Sequence, residues 1–134
     1  MPVPIRRGRA VSEADLTTLE GDLGYKLPDA FRRFTLLNGD GAEPESNVFD
    51  LPPDNQSDVR QFIPIREINT TRRITELFPH DGCPFAYDSG GNLLFFQARR
   101  PAVHFWAGDD AGYDGVEVAP DFETFMEQLA PFSL

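Results

Sequence analysis

The stretch from Phe85 to Phe96, FAYDSGGNLLFF, decides the fold. Two apolar runs flank a polar, glycine-rich knot, and three readings compete for it: a phosphate cradle, a metal loop or a turn. A phosphate-binding loop carries a Lys and a hydroxyl residue directly after its last Gly and then enters a helix. Here Asn92 is followed by Leu93, Leu94, Phe95 and Phe96, the pattern of a buried strand. The knot therefore reads as a hairpin turn. Asp88 and Asn92 can bond to backbone amides, and Gly90 and Gly91 can take positive φ.

Outward from the hairpin the strand pattern continues. AVHFWAG (102–108) and GVEV (115–118) follow it, and NVFDL (47–51) and RQFIPI (60–65) precede it. Pro64 marks RQFIPI as an edge strand or the end of one. PPDNQSD (52–58) has the composition of an exposed connection. INTTRRITELF (68–78) fits either a short helix or a loop: Thr and Ile weaken a helix, while the spacing of Ile68, Ile74, Leu77 and Phe78 permits one.

Helices bracket the strands. Ser12 and Asp15 have the spacing of a capping box, Leu16, Leu19 and Leu23 form one stripe, and Gly24 supplies a stop, which predicts a helix over Ser12–Leu23. LPDAFRRFTLLNG predicts a second over Pro28–Leu37, with Pro28 in the first turn, Phe31, Phe34 and Leu37 facing inward, and Arg32 and Arg33 facing outward. Asn38 and Gly39 end it in a left-handed turn. PDFETFMEQL predicts a third over Pro120–Leu129, burying Phe122, Phe125, Met126 and Leu129. Helices at both ends with consecutive strands between them, and no alternating βαβ units, indicate an α+β fold: a single domain over 1–134 with a largely antiparallel central sheet flanked by helices. Residues 1–11 are expected to form a flexible N-terminal arm.

At 134 residues, with 12 Phe and one Trp, the chain can build one core without a metal or disulfide staple. No apolar run is long enough to cross a bilayer, and MPVPIRRGRA lacks the apolar stretch and cleavage site of a secretory signal, so a cytoplasmic protein is expected. The lone Cys83 cannot form an internal disulfide, which agrees with a reducing compartment.

The net charge of −10 is unevenly placed. Residues 34–59 hold Asp40, Glu43, Glu45, Asp50, Asp54 and Asp58 with no Lys or Arg. Residues 101–134 hold Asp109, Asp110, Asp114, Glu117, Asp121, Glu123 and Glu127, again with no base. Such blocks repel a nucleic-acid backbone and attract a basic partner, so direct DNA or RNA binding is not expected. Asp40, Glu43, Glu45, Asp54, Asp58, Asp109, Asp110 and Asp114 become the candidate protein-binding residues; the competing reading is a solubilising surface.

Other chemistries fit poorly. Asp110, Asp114, Gly115 and Asp121 match positions 1, 5, 6 and 12 of a calcium loop, but position 3 is Gly112, position 12 is the shorter acid, and the flanks read as strands. His80, Cys83 and His104 fall one short of a structural zinc set unless a carboxylate joins, and nothing places either His beside Cys83 as a base. No cofactor is expected. With 22 acids, a pair at glycosidase separation carries no information.

In order, LGYKLPDAFRRFTLLNGDG, FAYDSGGNLLFF, VHFWAGD and DFETFMEQL resemble the SUKH superfamily, which contains bacterial immunity proteins of polymorphic toxin systems and fungal Smi/Knr-type cell-wall regulators. The resemblance spans about residues 12 to 130. It rests most on Leu27, Pro28, Asn38 and Gly39 around the second helix, together with the turn of Asp88, Gly90, Gly91 and Asn92. It implies an α+β fold, no enzymatic activity and binding to a toxin domain, often a nuclease. Its recurring residues look like fold determinants, whereas the acidic GDGAEPESN and RRITELFPHDG segments have no counterpart in it and are where partner choice would reside. Two functions are carried forward: an immunity protein for a basic toxin, and a regulatory or adaptor module with a cellular partner.

Overall fold

The computed structural model describes residues 5–52, 54–75, 78–107 and 115–131. Its elements run β1 Ile5–Arg6, α1 Glu13–Leu23, α2 Asp29–Asn38, β2 Glu43–Pro44, β3 Val48–Leu51, β4 Asn55–Asp58 and β5 Gln61–Phe62. A 3₁₀ turn at Ile65–Glu67 then leads to α3 Ile68–Ile74, β6 Gly82–Tyr87, β7 Leu93–Gln97, β8 Arg100–Trp106, β9 Val116–Ala119 and α4 Phe122–Gln128. The main sheet is β5-β6-β7-β8-β9, antiparallel throughout, and two small antiparallel ladders, β1-β2 and β3-β4, stand beside it. This is the expected α+β fold.

The hairpin of the opening stretch is the middle of that sheet. Tyr87 pairs with Leu93 and Cys83 with Phe96, and the five residues between the strands form the turn. Asp88 is its hub: Oδ1 accepts from the N–H of Gly90 (2.9 Å) and of Asn92 (2.7 Å), and Oδ2 accepts from Asn92 Nδ2 (3.0 Å). Of the two glycines only Gly91 adopts positive φ, at 83°. Gly90 does not need the freedom the sequence reading gave it. β6 tolerates Pro84 because the ladder shifts register between Pro84 and Ala86.

The core is aromatic. Phe85 stacks on Phe96 (4.4 Å between centroids), Phe31 of α2 meets both Phe96 and Phe122 edge-on at 5.3 Å, and Phe125 of α4 reaches Phe49 at 5.2 Å. Thus α2 and α4 cover one face of the sheet. On the other face Phe78 packs edge-on against Phe95 and Trp106.

Ser12 and Asp15 form the reciprocal capping box of α1, and Gly24 closes it at φ 85°. Pro28 sits at the N-cap of α2, one residue outside the helix it was expected to open. The buried face of α2 is Phe31 and Thr35; Leu37, expected inside, is 68% exposed. A spacing of three residues from Phe31 to Phe34 and again to Leu37 drifts around the helix, and where α4 and the sheet stand leaves Leu37 outside. Arg32 is likewise turned in rather than out, bound to Glu13 (2.6 Å) and Glu20 (3.3 Å), and Glu20 also accepts from Leu27 N–H (2.7 Å). Gly39 has φ 81°, and a Cβ there would lie 2.5 Å from Arg9 C=O, because residues 8–9 lie against the end of α2. Arg9 and Asp40 exchange backbone hydrogen bonds at 2.9 and 2.8 Å, so part of the stretch expected as a loose arm is paired, with Ile5 and Arg6 opposite Pro44 and Glu43.

Three further departures bear on the site. Residues 55–58, expected as a connection, form β4 and make β3-β4 a hairpin. The undecided 68–78 stretch contains helix α3, but Ile74 is exposed; Leu77 lies outside the described residues. β7 and β8 turn through Arg99, the one described non-glycine residue at positive φ (61°). Among the described residues no helix is long and apolar enough to cross a membrane.

Candidate functional site

The acidic segment 34–59 folds mainly into the β3-β4 hairpin and its approach. Phe49 anchors the hairpin: it is fully buried against Phe105 and Phe125. Val48 bridges to Ala130, with hydrogen bonds of 2.9 Å in both directions. At the other end Ser57 Oγ donates to Asp88 Oδ2 (2.8 Å), while Asp58 accepts from the backbone N–H (2.9 Å) and hydroxyl of Ser89. The knot of the central hairpin thus holds the acidic hairpin in place. Alternation along β3 sends Phe49 inward and leaves Asp50 exposed.

The candidate acids separate into two kinds. Asp40 is half-buried, and its Oδ2 accepts from Ile65 N–H (3.0 Å), fixing the start of the 3₁₀ turn. Asp58 is engaged with Ser89 as described. Glu45 and Asp54 are exposed, and Glu43 is half-buried in β2. Asp50, which is not among the candidate acids above, is exposed and lines the same groove as Asp54, with Gln56 Nε2 at 3.4 Å from its Oδ1. The signal that could have found it was the alternation of VFDL: once Phe49 is inward, Asp50 is outward. Asp109, Asp110 and Asp114, with the first and fifth positions of the calcium pattern, lie outside the described residues. Asp121, its twelfth position, is the N-cap of α4 and accepts from Thr124 N–H (2.7 Å), which lowers its pKa.

Two grooves flank the hairpin. One is lined by Glu43, Asn47, Asp58, Arg60, Ser89 and Ala130 among others. The other is lined by Asp50, Leu51, Asp54, Gln56, Val118 and Gln128 among others, with no Lys or Arg among the described residues of its wall. The structural motif residues are elsewhere: Leu27 is in the core, Asn38 Nδ2 donates to Phe34 C=O (3.0 Å), and Asp88 is buried under the turn. These three build the scaffold, while Gly90 and Gly91 are exposed at the turn.

The reactive side chains are dispersed. Cys83 is fully buried in β6, and burial pushes its thiol up to about 12, so it is protonated at neutral pH and a poor nucleophile. His104 stacks on Phe95 (5.3 Å) and burial lowers its pKa, while His80 is exposed in the approach to β6. Burial drives the Tyr25 phenol well above its ordinary value, and its hydroxyl donates to Asp81 C=O (2.7 Å). Among the described residues no group of three His, Cys, Asp or Glu could hold a metal ion.

Residues 10–128 match the SMI1 / KNR4 family (SUKH-1). The match covers most of the chain, and the protein belongs to this family. A comparison with curated proteins found no match. Membership agrees with the α+β architecture. It is compatible with an immunity role and with a protein partner.

Proposed function

We propose that this protein is a non-enzymatic, cytoplasmic immunity protein that binds and neutralises a cognate toxin, a basic nuclease being the kind its charge suits best. The observation that carries this reading is the β3-β4 hairpin. It is held rigidly by Phe49 and the Asp88 knot, presents Asp50 and Asp54 to solvent, and belongs to a stretch of six acids with no base. A nuclease grips phosphates with Lys and Arg, and an acidic face on a fixed scaffold can occupy that surface. Family membership supports a binding role for the domain.

The test is association kinetics with the toxin encoded beside the gene, at low and high salt. Glu45→Lys, Asp50→Lys and Asp54→Lys together should slow capture about tenfold or more at low salt and less at high salt, because exposed charges act mainly on the on-rate and are screened. Asp40 and Asp58 are left intact because their carboxylates hold backbone. Unchanged capture by a folded triple variant would reduce the acidic hairpin to a solubilising surface.

A further inference from the structure

The two edges of the main sheet are treated differently. At β5, Phe62 N–H donates to Ala42 C=O (2.9 Å) and Gln61 Nε2 to Gly41 C=O (2.9 Å), so the outer side of that strand is occupied. At β9, among the described residues, no hydrogen bond reaches the backbone from outside the β8 ladder. Such an edge is a template for another strand. A register shift in the β8-β9 ladder, from Val103 opposite Ala119 to His104 opposite Glu117, leaves Val118 without a residue directly across from it. Val118 instead lines the groove that the acidic hairpin overlooks, with Leu51 beside it and Asp50 and Asp54 in the same wall. Among the described residues, therefore, an unpaired strand edge, two half-buried apolar side chains and two exposed carboxylates without a basic neighbour in the wall share one groove.

The geometry points to β9 as a docking edge for an extended, basic segment of the partner protein. The segment adds a strand to β9, lays apolar side chains over Leu51 and Val118, and directs Lys or Arg toward Asp50 and Asp54. This rests on the hairpin being the partner face and specifies what the partner presents to it. β9 has only four residues, so the backbone ladder is short and the charge must supply much of the selectivity.

The inference can be tested without the toxin, using two capped eight-residue peptides of alternating Lys–Val and Glu–Val and backbone amide NMR. The Lys–Val peptide should shift and protect the amides of residues 116–119 and shift those of Asp50, Leu51, Asp54 and Asn55, while the Glu–Val peptide leaves them unchanged. Asp50→Lys with Asp54→Lys should weaken the Lys–Val peptide at least tenfold. N-methylation of alternate peptide amides, which keeps every charge but removes donors from the strand, should weaken it as much. Shifts mapping away from β9, equal binding of the two peptides, no binding by either, or undiminished binding after N-methylation would each overturn the inference. Toxin capture that depends on Asp50 and Asp54 but is not competed by the Lys–Val peptide would overturn it too, while leaving the immunity reading intact. Toxin indifferent to the hairpin, with the peptide still on β9, would sink that reading alone.

Discussion

The two hairpins of this protein, β6-β7 and β3-β4, each carry aspartates at their turn end, and those aspartates do opposite things. In the central hairpin Asp88 is buried and its carboxylate accepts from two backbone amides, a hydroxyl and a side-chain amide. In the peripheral hairpin Asp50 and Asp54 stand in solvent, and the one described donor near them is Gln56, at 3.4 Å. The same residue type is a structural acceptor where the fold supplies donors and a free surface charge where it does not. Charge counting alone therefore overstates a binding face: Asp40 and Asp58 belong with Asp88, and Asp50 belongs with Asp54.

The largest effect should come from removing what seats the peripheral hairpin. Phe49→Ala should cost about 4 kcal/mol by chemical denaturation, from lost burial and the cavity left behind. A cost near 1 kcal/mol would mean the hairpin is not anchored there. Next, Asp88→Ala strands Gly90 N–H, Asn92 N–H and the Ser57 hydroxyl, and should cost about 3 kcal/mol while loosening both hairpins in hydrogen exchange. Loosening confined to β6-β7 would break the link between them. Asp40→Ala removes a carboxylate acceptor from Ile65 N–H and should cost about 1 to 2 kcal/mol, whereas Asp50→Lys with Asp54→Lys should stay within about 0.5 kcal/mol. Equal costs for the two would erase the distinction between fold and face.

The smallest effect concerns pH. His104 lies across from Glu117, with Arg100 on its own strand, and burial sets its pKa below the ordinary 6.5. The unfolded chain therefore takes up the proton first, so stability is full above pH 6.5 and falls as pH drops through the folded value. His104→Phe should flatten the melting temperature between pH 7 and 5 in part. An unchanged slope would remove His104 from the pH response.

Much of the fold was legible in order of sequence separation. The Ser12–Asp15 cap, the Gly24 stop, the DSGGN turn and the Phe122–Phe125 stripe are local patterns, and each stands where periodicity and turn chemistry put it. Reading failed where contacts from elsewhere chose between local options. Leu37 has helical spacing from Phe34, yet Thr35 took the inward place. Asn55–Asp58 has turn-forming residues, yet pairing with Val48–Leu51 made it a strand.

The sequence by itself determined that the chain forms an α+β domain around a central hairpin, that its acids fall in two base-free blocks, and which family it resembles. Those properties are carried by residues close together in the chain, where side-chain period, caps and turns act. Only the tertiary structure decided which acids are free. Whether a carboxylate meets solvent or a backbone N–H depends on donors 25 residues away for Asp40 and 31 for Asp58. No local pattern encodes that distance, because packing of the whole core brings those donors into reach.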